Sequence, residues 1–405
     1  MGALFGALYF VQSVGDPTSG LIAQPVRSLL DRWGESPTAI ATFMAIMALP
    51  WSLKPLLALL SDFVPLFGSR RRNYLLLATT TAAVGLGLLY FYPLPAGERW
   101  LLLTLLFLPT LGIAFTDVLA DALMIEVGSP RGLTGRLQSV QWFAAYFALL
   151  LSGVVGGYLT ANDQHELAFL ICAALWAASL VLTLLFVREQ PHTASAGEMR
   201  STAGALRRAF AVPGLLTICV VSFLWDFNPL SYSVNYVHMT RTLGLSEQVF
   251  GNAFSLFSAG AMAATAGYAL YCRRVHIHVL LHAAIAAGIA GNVLYWWVTD
   301  ATSYYFASTL VGFAYMTGSL ILLDLAARLV PVAVAATVFA VIMALASLGA
   351  SLGEGIGGYL YDFALAGYGP TAAYRLSLAA GVCVIASCWL WVPRLRRELA
   401  TRAID

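Results

Sequence analysis

The sequence predicts an all-α integral membrane protein with twelve transmembrane helices in two pseudo-symmetric halves of six. Three observations carry that prediction. Of the 405 residues, 60 % are hydrophobic and only 10 % charged, and the mean hydropathy is +0.79. A soluble domain carries about 25 % charged residues, and no water-soluble core could hide so much apolar surface. Next, twelve segments reach the roughly 20 mostly apolar residues that a bilayer-spanning helix needs. Finally, one short stretch recurs at about half the chain length: GVVGGYL at 153–159 and EGIGGYL at 354–360.

The twelve segments fall at roughly 4–29, 36–60, 73–93, 99–124, 137–160, 165–187, 212–240, 246–271, 277–299, 303–328, 334–362 and 370–392. The long polar stretch REQPHTASAGEMRSTAGALRR, Arg188 to Arg208, separates spans 6 and 7. This sets out an N-terminal half (1–187), a linker (188–211), a C-terminal half (212–392) and a tail (393–405). The repeat closes spans 5 and 11, and Asp121 in span 4 corresponds to Asp324 in span 10, as parallel six-span repeats require. An unrelated pair of Gly-rich helix contacts is the simpler alternative.

Arginine placement orients the chain. One set of loops, with the linker and tail, holds Arg70, Arg71, Arg72, Arg131, Arg136, Arg188, Arg200, Arg207, Arg208, Arg273, Arg274, Arg328, Arg394, Arg396, Arg397 and Arg402. The opposite set holds only Arg27, Arg32, Arg99, Arg241 and Arg375. Both termini are therefore expected in the cytoplasm, and the expected location is a bacterial inner membrane. The first segment lacks a basic n-region and is long for a cleavable leader, so it reads as a span. Trp100, Trp296, Trp297, Trp389 and Trp391 sit near span ends, where an aromatic belt belongs.

The composition excludes several classes. A net charge of +2 gives no reason to expect nucleic acid. Cys172, Cys219, Cys272, Cys383 and Cys388 have neither disulfide nor zinc spacing and read as small core residues. His278 and His282 lie four apart, but no third ligand is near, so no metal is expected. No phosphate-binding loop, zinc-protease helix or nucleophile elbow appears, so neither a cofactor nor ATP coupling is expected. An enzyme is the class with least support. The expected partners are a small-molecule substrate, protons and the lipid bilayer, and the expected state is a monomer.

Charges inside spans are costly, about 2.5–3.5 kcal/mol at a helix centre, so those present mark candidate sites. Lys54, the sole lysine, lies in span 2 beside Trp51; snorkelling to the interface is its bland alternative. The acids are Asp16, Asp117, Asp121, Asp226, Asp324 and Glu354. Asp117 and Asp121 stand one helical turn apart, a spacing that suits proton carriage; pairing of Asp121 with a loop arginine is equally open. Asp16 in VGDPTSG precedes Pro17 in span 1, and Asp226 in LWDFNPL has a proline three residues on in span 7, which predicts broken helices at matching places. Trp142, Trp225, Asn228 and Asn235 add aromatic and hydrogen-bonding groups suited to a planar heteroaromatic ligand. Substrate contacts are therefore expected from Asp16, Trp51, Lys54, Trp142, Trp225, Asp226, Asn228 and Asn235. Proton coupling is expected from Asp117, Asp121, Asp226, Asp324 and Glu354.

Between spans 2 and 3, Asp62 is followed by Arg70, Arg71 and Arg72, an arrangement able to clamp neighbouring helices as a cytoplasmic gate. The loop LLSDFVPLFGSRRRNYLLL resembles, in stretched form, the signature loop of the major facilitator superfamily. YFVQ (9–12), LPWSLKPLLALLSDFVPLFGSRRRNYLLL (49–77), DVLADALMIE (117–126), LQSVQWF (137–143), FLWDFNP (223–229) and TVFAVIMALASLGASLGEGIGGYL (337–360) together resemble its folate–biopterin transporter family. The resemblance implies the major facilitator fold, alternating access and proton-driven uptake of pterin-like compounds. It also implies functional status for Lys54, Asp62, Asp117 and Asp121. Asp226 and Glu354 depart from the family pattern, as extra acids where an anionic folate would bind. Anhydromuropeptide permeases share a similar LP…LK…D…GRRR region and are the rival. Another organic-anion permease and a non-transporting scaffold with a transporter fold remain alternatives.

Overall fold

The computed structural model describes residues 2–92, 94–131, 133–189, 204, 214–271, 277–329 and 335–402. Most of the expected linker lies outside the described residues, as do Arg200, Arg207, Arg208, Cys272, Arg273 and Arg274 and the side chains of His278 and Arg328. The helices of the N-terminal part are α1 (Gly2–Gly15), α2 (Ala23–Arg32), α3 (Pro37–Ser52), α4 (Lys54–Phe63), α5 (Arg72–Phe91), α6 (Arg99–Gly128), α7 (Thr134–Ala161) and α8 (His165–Phe186). The C-terminal part has α9 (Leu215–Asp226), α10 (Tyr232–Val237), α11 (Glu247–Tyr271), α12 (Ile277–Leu294), α13 (Ala301–Leu329), α14 (Ala335–Tyr368), α15 (Pro370–Ser387) and α16 (Val392–Arg402). Among the described residues, ten helical stretches are long and apolar enough to cross a membrane; α1 and α9 are shorter apolar helices. Those two open the expected spans 1 and 7, so the short helices are the broken ones.

Each break has a local cause. Proline lacks the N–H that continues a helix, and its ring clashes with the carbonyl four residues back. Pro17 follows the end of α1, and Pro229 lies between α9 and α10. Pro55 separates α3 from α4 at Leu53, which places Lys54 at the first position of α4. After α10 the chain widens into one π-type turn, His238–Thr242, before α11.

The described helices form two compact units. The first holds Met1–Glu35, Leu56–Ala196 and Ser246–Ser255; the second holds Ser36–Pro55, Gly197–Leu245 and Leu256–Asp405. The first has a core of Phe5, Tyr9, Leu75, Phe115, Leu119 and Leu123. The second is centred on Ile218, Trp225, Leu281, Ile285, Ile321 and Leu325. Outward faces carry exposed Leu, Val and Phe, as a lipid solvent demands. Cys172, Cys219 and Cys388 are buried as expected, whereas Cys383 is exposed on α15.

The repeated GGYL explains how each unit closes. In both copies the first glycine meets a break and the second meets a helix start. A Cβ on Gly156 would lie 3.0 Å from the Leu21 carbonyl oxygen, and one on Gly357 only 2.1 Å from that of Pro229. A Cβ on Gly157 would lie 3.1 Å from the Gly251 Cα in α11, and one on Gly358 2.4 Å from the Ala41 Cβ in α3. Side-chain-free surface lets backbones approach where lipid supplies no hydrophobic drive for association. On the same helix pair, Asp362 accepts the Thr38 amide at 2.8 Å and the Gly358 carbonyl accepts the Thr38 hydroxyl at 3.1 Å.

Candidate transport site

In the first unit the two carboxyls of α6 are held from α1 and α7. Gln12 Nε2 donates to Asp117 Oδ1 at 2.5 Å, the Tyr9 hydroxyl donates to Asp121 Oδ1, and Gln141 Nε2 donates to that oxygen at 3.0 Å. Rising numbers on α1 meet falling numbers on α6, so the two helices run antiparallel. Tyr9 and Gln12, three apart, share a face that matches the Asp117–Asp121 face. Asp121 thus has polar partners, Tyr9 and Gln141, on two neighbouring helices.

Asp16 is used locally. Its carboxyl accepts the Thr18 amide at 3.0 Å, the Thr18 hydroxyl at 2.8 Å and the Ser19 hydroxyl at 2.7 Å, closing the break after α1. In the second unit the equivalent turn is made by Asn228, whose Oδ1 accepts the Leu230 amide at 3.0 Å. Asp16-Pro17 and Asn228-Pro229 are thus the matching pair. The sequence reading matched Asp16 to Asp226, two residues off, because it paired acid with acid; the shared feature is an Asx side chain bonding two residues ahead of itself, before a proline.

Asp226, released from that duty, accepts the Tyr315 hydroxyl at 2.7 Å. Trp225, Asp226, Asn228, Asn292 and Tyr315 line a cavity of about 90 Å³ in the second unit. Asn228 Nδ2 donates to Asn292 Oδ1 at 3.2 Å, which fixes both amides at its wall. Trp225 is also a core wedge: a Cβ on Gly318 would lie 2.0 Å from its ring, and its indole N–H donates to the Ser319 hydroxyl at 3.2 Å. Asn235 lies elsewhere, buried between the Tyr304 and Tyr374 hydroxyls at 3.0 Å each. Asp324 accepts the Tyr268 hydroxyl at 3.3 Å. Lys54 Nζ lies over the Trp51 ring, 4.5 Å from its centroid, and Trp142 stacks on Tyr146.

Glu354 answers why the second copy of the repeat carries an acid. Its two carboxyl oxygens accept the backbone amides of Tyr232 and Ser233 at 3.1 Å each. These are the first N–H groups of α10, which lack partners within a helix. The broken span 7 is thus capped by an acid from α14, while span 1 is closed by its own Asp16. Glu354→Ala is expected to lower the thermal midpoint, by about 1 kcal/mol in stability, and Glu354→Gln to lower it less, because one acceptor oxygen remains. Equal midpoints for wild type and Glu354→Ala in a detergent melting curve would contradict the capping role.

Of the residues expected to form a gate, Asp62 and Arg71 meet directly. The Arg71 guanidinium is buried and donates to Asp62 at 2.5 Å, to Glu126 at 3.1 Å and to the Ser61 hydroxyl at 2.7 Å. Arg70 and Arg72 contribute mainly through their backbone amides. Those of Arg70, Arg71 and Arg72 all donate to Glu189, at 3.0, 2.9 and 2.9 Å, and the Ser69 hydroxyl adds a fourth bond. Arg72 Nε also donates to the Val187 carbonyl at 2.9 Å. Burial pushes the Glu189 carboxyl up, but the four hydrogen bonds outweigh it and hold the group below its ordinary 4.5. A depressed folded value gives stability that is complete above the ordinary value and lost as pH falls through the folded one. Amide exchange of residues 69–72 is therefore expected to accelerate as pH drops below about 4.5, after correction for intrinsic rates. Glu189→Ala, which removes both acceptor oxygens, should exchange fast at neutral pH already; protection equal to wild type would refute the Glu189 clasp.

The structure thus groups Asp117 with Asp121, and Trp225 with Asp226 and Asn228, and gathers Asp62 with Arg71. It holds Asp16, Asn235 and Glu354 in structural bonds. Tyr9, Gln12, Gln141, Asn292, Tyr315, Glu126 and Glu189 are the partners the sequence reading did not single out. YFVQ and DVLADALMIE contained three of them, but neutral donors and loop acids carry no signal until their partners are known.

Two interrupted helices and a glycine-packed repeat belong to an all-helical membrane protein with the major facilitator fold. Solved structures share it at low identity. The nucleoside transporter NupG superposes with a TM-score of 0.73 at 12 % identity, over 98 % of both chains. The D-xylose-proton symporter gives 0.71 at 16 %, over 97 % of both. The chain belongs to the BT1 family, the folate–biopterin transporter family, whose profile matches residues 21–393. It is therefore a multi-pass membrane transporter of a small molecule and not an enzyme. It is 28 % identical over 372 residues to a folate-biopterin transporter of Synechocystis sp., covering 87 % of this chain and 73 % of that one. It is 33 % identical over 165 residues to a probable folate-biopterin transporter 4 of Arabidopsis thaliana, covering 40 % of this chain and 33 % of that one. It is 21 % identical over 255 residues to folate transporter 1 of Plasmodium falciparum, covering 62 % and 50 %. The last two matches span half or less of those proteins.

Proposed function

We propose that the protein imports a folate- or pterin-like solute by proton symport and alternating access, as a monomer in a bacterial inner membrane with both termini cytoplasmic. The moving bodies are the halves 1–187 and 212–392, joined by the 188–211 linker, although Ser36–Pro55 groups with the second compact unit and Ser246–Ser255 with the first. One observation carries the coupling: Asp117 and Asp121 lie a turn apart on α6, held by Tyr9, Gln12 and Gln141. Tyrosine and glutamine can each donate to a carboxylate or accept from a carboxylic acid. A proton can therefore come and go without breaking the hydrogen-bonded frame.

Asp226 is the corresponding proton-accepting group of the second unit, with Tyr315 as its donor. Trp225 and Asn228 beside it offer a flat face and an amide to a heteroaromatic ring, and Trp51 and Trp142 are separate candidate contacts, each within its own unit. Lys54 supplies the positive charge for an anionic substrate group, and the Asp62–Arg71–Glu126 cluster latches the cytoplasmic side. Support for the substrate class comes from the names of the relatives. Substrate-dependent proton flux in proteoliposomes tests the whole reading. Flux with folate or a reduced pterin is the expected result, and none with any pterin, folate, muropeptide or other planar anion would favour the scaffold alternative.

A further inference from the structure

Beyond α15 the chain makes one tight turn, Cys388–Leu390, and restarts as α16. This last helix has two faces. Val392 and Leu395 are buried against the second unit, and Arg394, Arg396 and Arg397 are exposed. His282 of α12 faces it, about 7–8 Å along the axis from Ile277 at the start of that helix. His282, Trp389, Val392, Pro393, Arg396 and Arg397 together line an open concavity of about 510 Å³.

Its lining combines two kinds of chemistry: the guanidinium groups of Arg396 and Arg397, and the indole of Trp389 with the side chains of Val392 and Pro393. Leu390, next to Trp389 in the chain, and Val279, three residues before His282, are further exposed apolar side chains. A guanidinium fork matches phosphate oxygens in pairs, which an ammonium cannot do. Tryptophan at the end of a span belongs at headgroup depth. A free phosphate would leave the apolar wall uncovered, whereas an acyl chain would cover it. Arg394, Arg396 and Arg397 make the exposed face of α16 basic, and basic side chains near a membrane surface favour anionic over zwitterionic headgroups.

We propose that this concavity is a binding site for one acidic phospholipid, with its phosphate on Arg396 and Arg397 and an acyl chain along Trp389 and Leu390. The site is distinct from the transport residues and does not depend on the substrate assigned above.

The test uses the purified full-length protein in a mild detergent. Thermal midpoints are measured against added phosphatidylglycerol, phosphatidylcholine and soluble glycerol 1-phosphate, and native mass spectrometry counts retained lipid. Phosphatidylglycerol is expected to raise the midpoint with dose and to be retained, and the other two to have little effect. A basic residue near a membrane surface contributes enough that Arg396→Gln/Arg397→Gln should need about tenfold more phosphatidylglycerol or worse. Arg131→Gln, a control arginine in the first unit, should behave as wild type. Equal effects of phosphatidylcholine, equal effects of glycerol 1-phosphate, or an unchanged response of the double variant would each overturn the site. If the double variant does not fold, a photoactivatable phosphatidylglycerol on the wild type decides. Labelling of peptides containing His282 or residues 389–397 supports the site, and labelling confined to other peptides overturns it.

Discussion

Asp121→Asn is expected to abolish concentrative uptake in proteoliposomes while leaving substrate exchange at zero gradient within about twofold of wild type. A one-unit pH gradient is worth about 1.4 kcal/mol per proton, or about tenfold accumulation for a one-proton symporter. The asparagine variant should reach an accumulation ratio near one. Asparagine keeps the shape and one acceptor oxygen, so Tyr9 and Gln141 can still donate to it and the fold should hold. Exchange needs the binding site and the conformational change but no net proton movement, which separates coupling from folding and binding. Tyr9→Phe should be milder, because Gln141 still holds Asp121. Full accumulation by Asp121→Asn would remove this carboxyl from the coupling role and turn attention to Asp226.

The second large effect is on stability, and it should be unequal between the two copies of the repeat. Gly357→Val is expected to prevent accumulation of folded protein, and Gly357→Ala to lower the thermal midpoint by several degrees. The obstacle is the Pro229 carbonyl oxygen, 2.1 Å from the would-be Cβ. It is backbone, so no rotamer change can relieve the clash, and helices must separate. Overpacking of this kind costs about 1–3 kcal/mol and sometimes more. Gly156→Ala meets the Leu21 carbonyl oxygen at 3.0 Å and needs a shift of only a few tenths of an ångström, so it should be much milder. A midpoint for Gly156→Ala at or below that of Gly357→Ala would contradict this account of how the repeat packs. If the packing were symmetric, the two alanine variants would be alike.

Particular residues show why some of the site was legible in the chain and some was not. The breaks in spans 1 and 7 could be read, because proline acts on its own backbone and on the carbonyl four residues back. Asp117 and Asp121 could be read because they are adjacent on one helix face and costly in lipid. Asp16 carries the sequence signal of a substrate group, and its carboxyl also closes a turn, since beside Thr18 and Ser19 it finds donors within three residues. Glu354 stands out as the charged difference between two similar stretches, but its partners are backbone amides 122 and 121 residues away. Glu189 left no trace in the sequence reading, because every main-chain N–H looks alike in one dimension. Only the fold of residues 69–72 aims three of them at one carboxyl.

By itself the sequence determined that the chain lives in a membrane, how its spans are punctuated, that it is built as a repeat, and which family it resembles. Those properties follow from local hydropathy, from proline, and from the recurrence of a motif, none of which needs a partner. Tertiary structure decided which polar groups close the backbone and which are left for chemistry. That choice depends on which helix faces which. Tyr9 and Asp121, 112 residues apart, share one hydrogen bond only because α1 and α6 run antiparallel side by side.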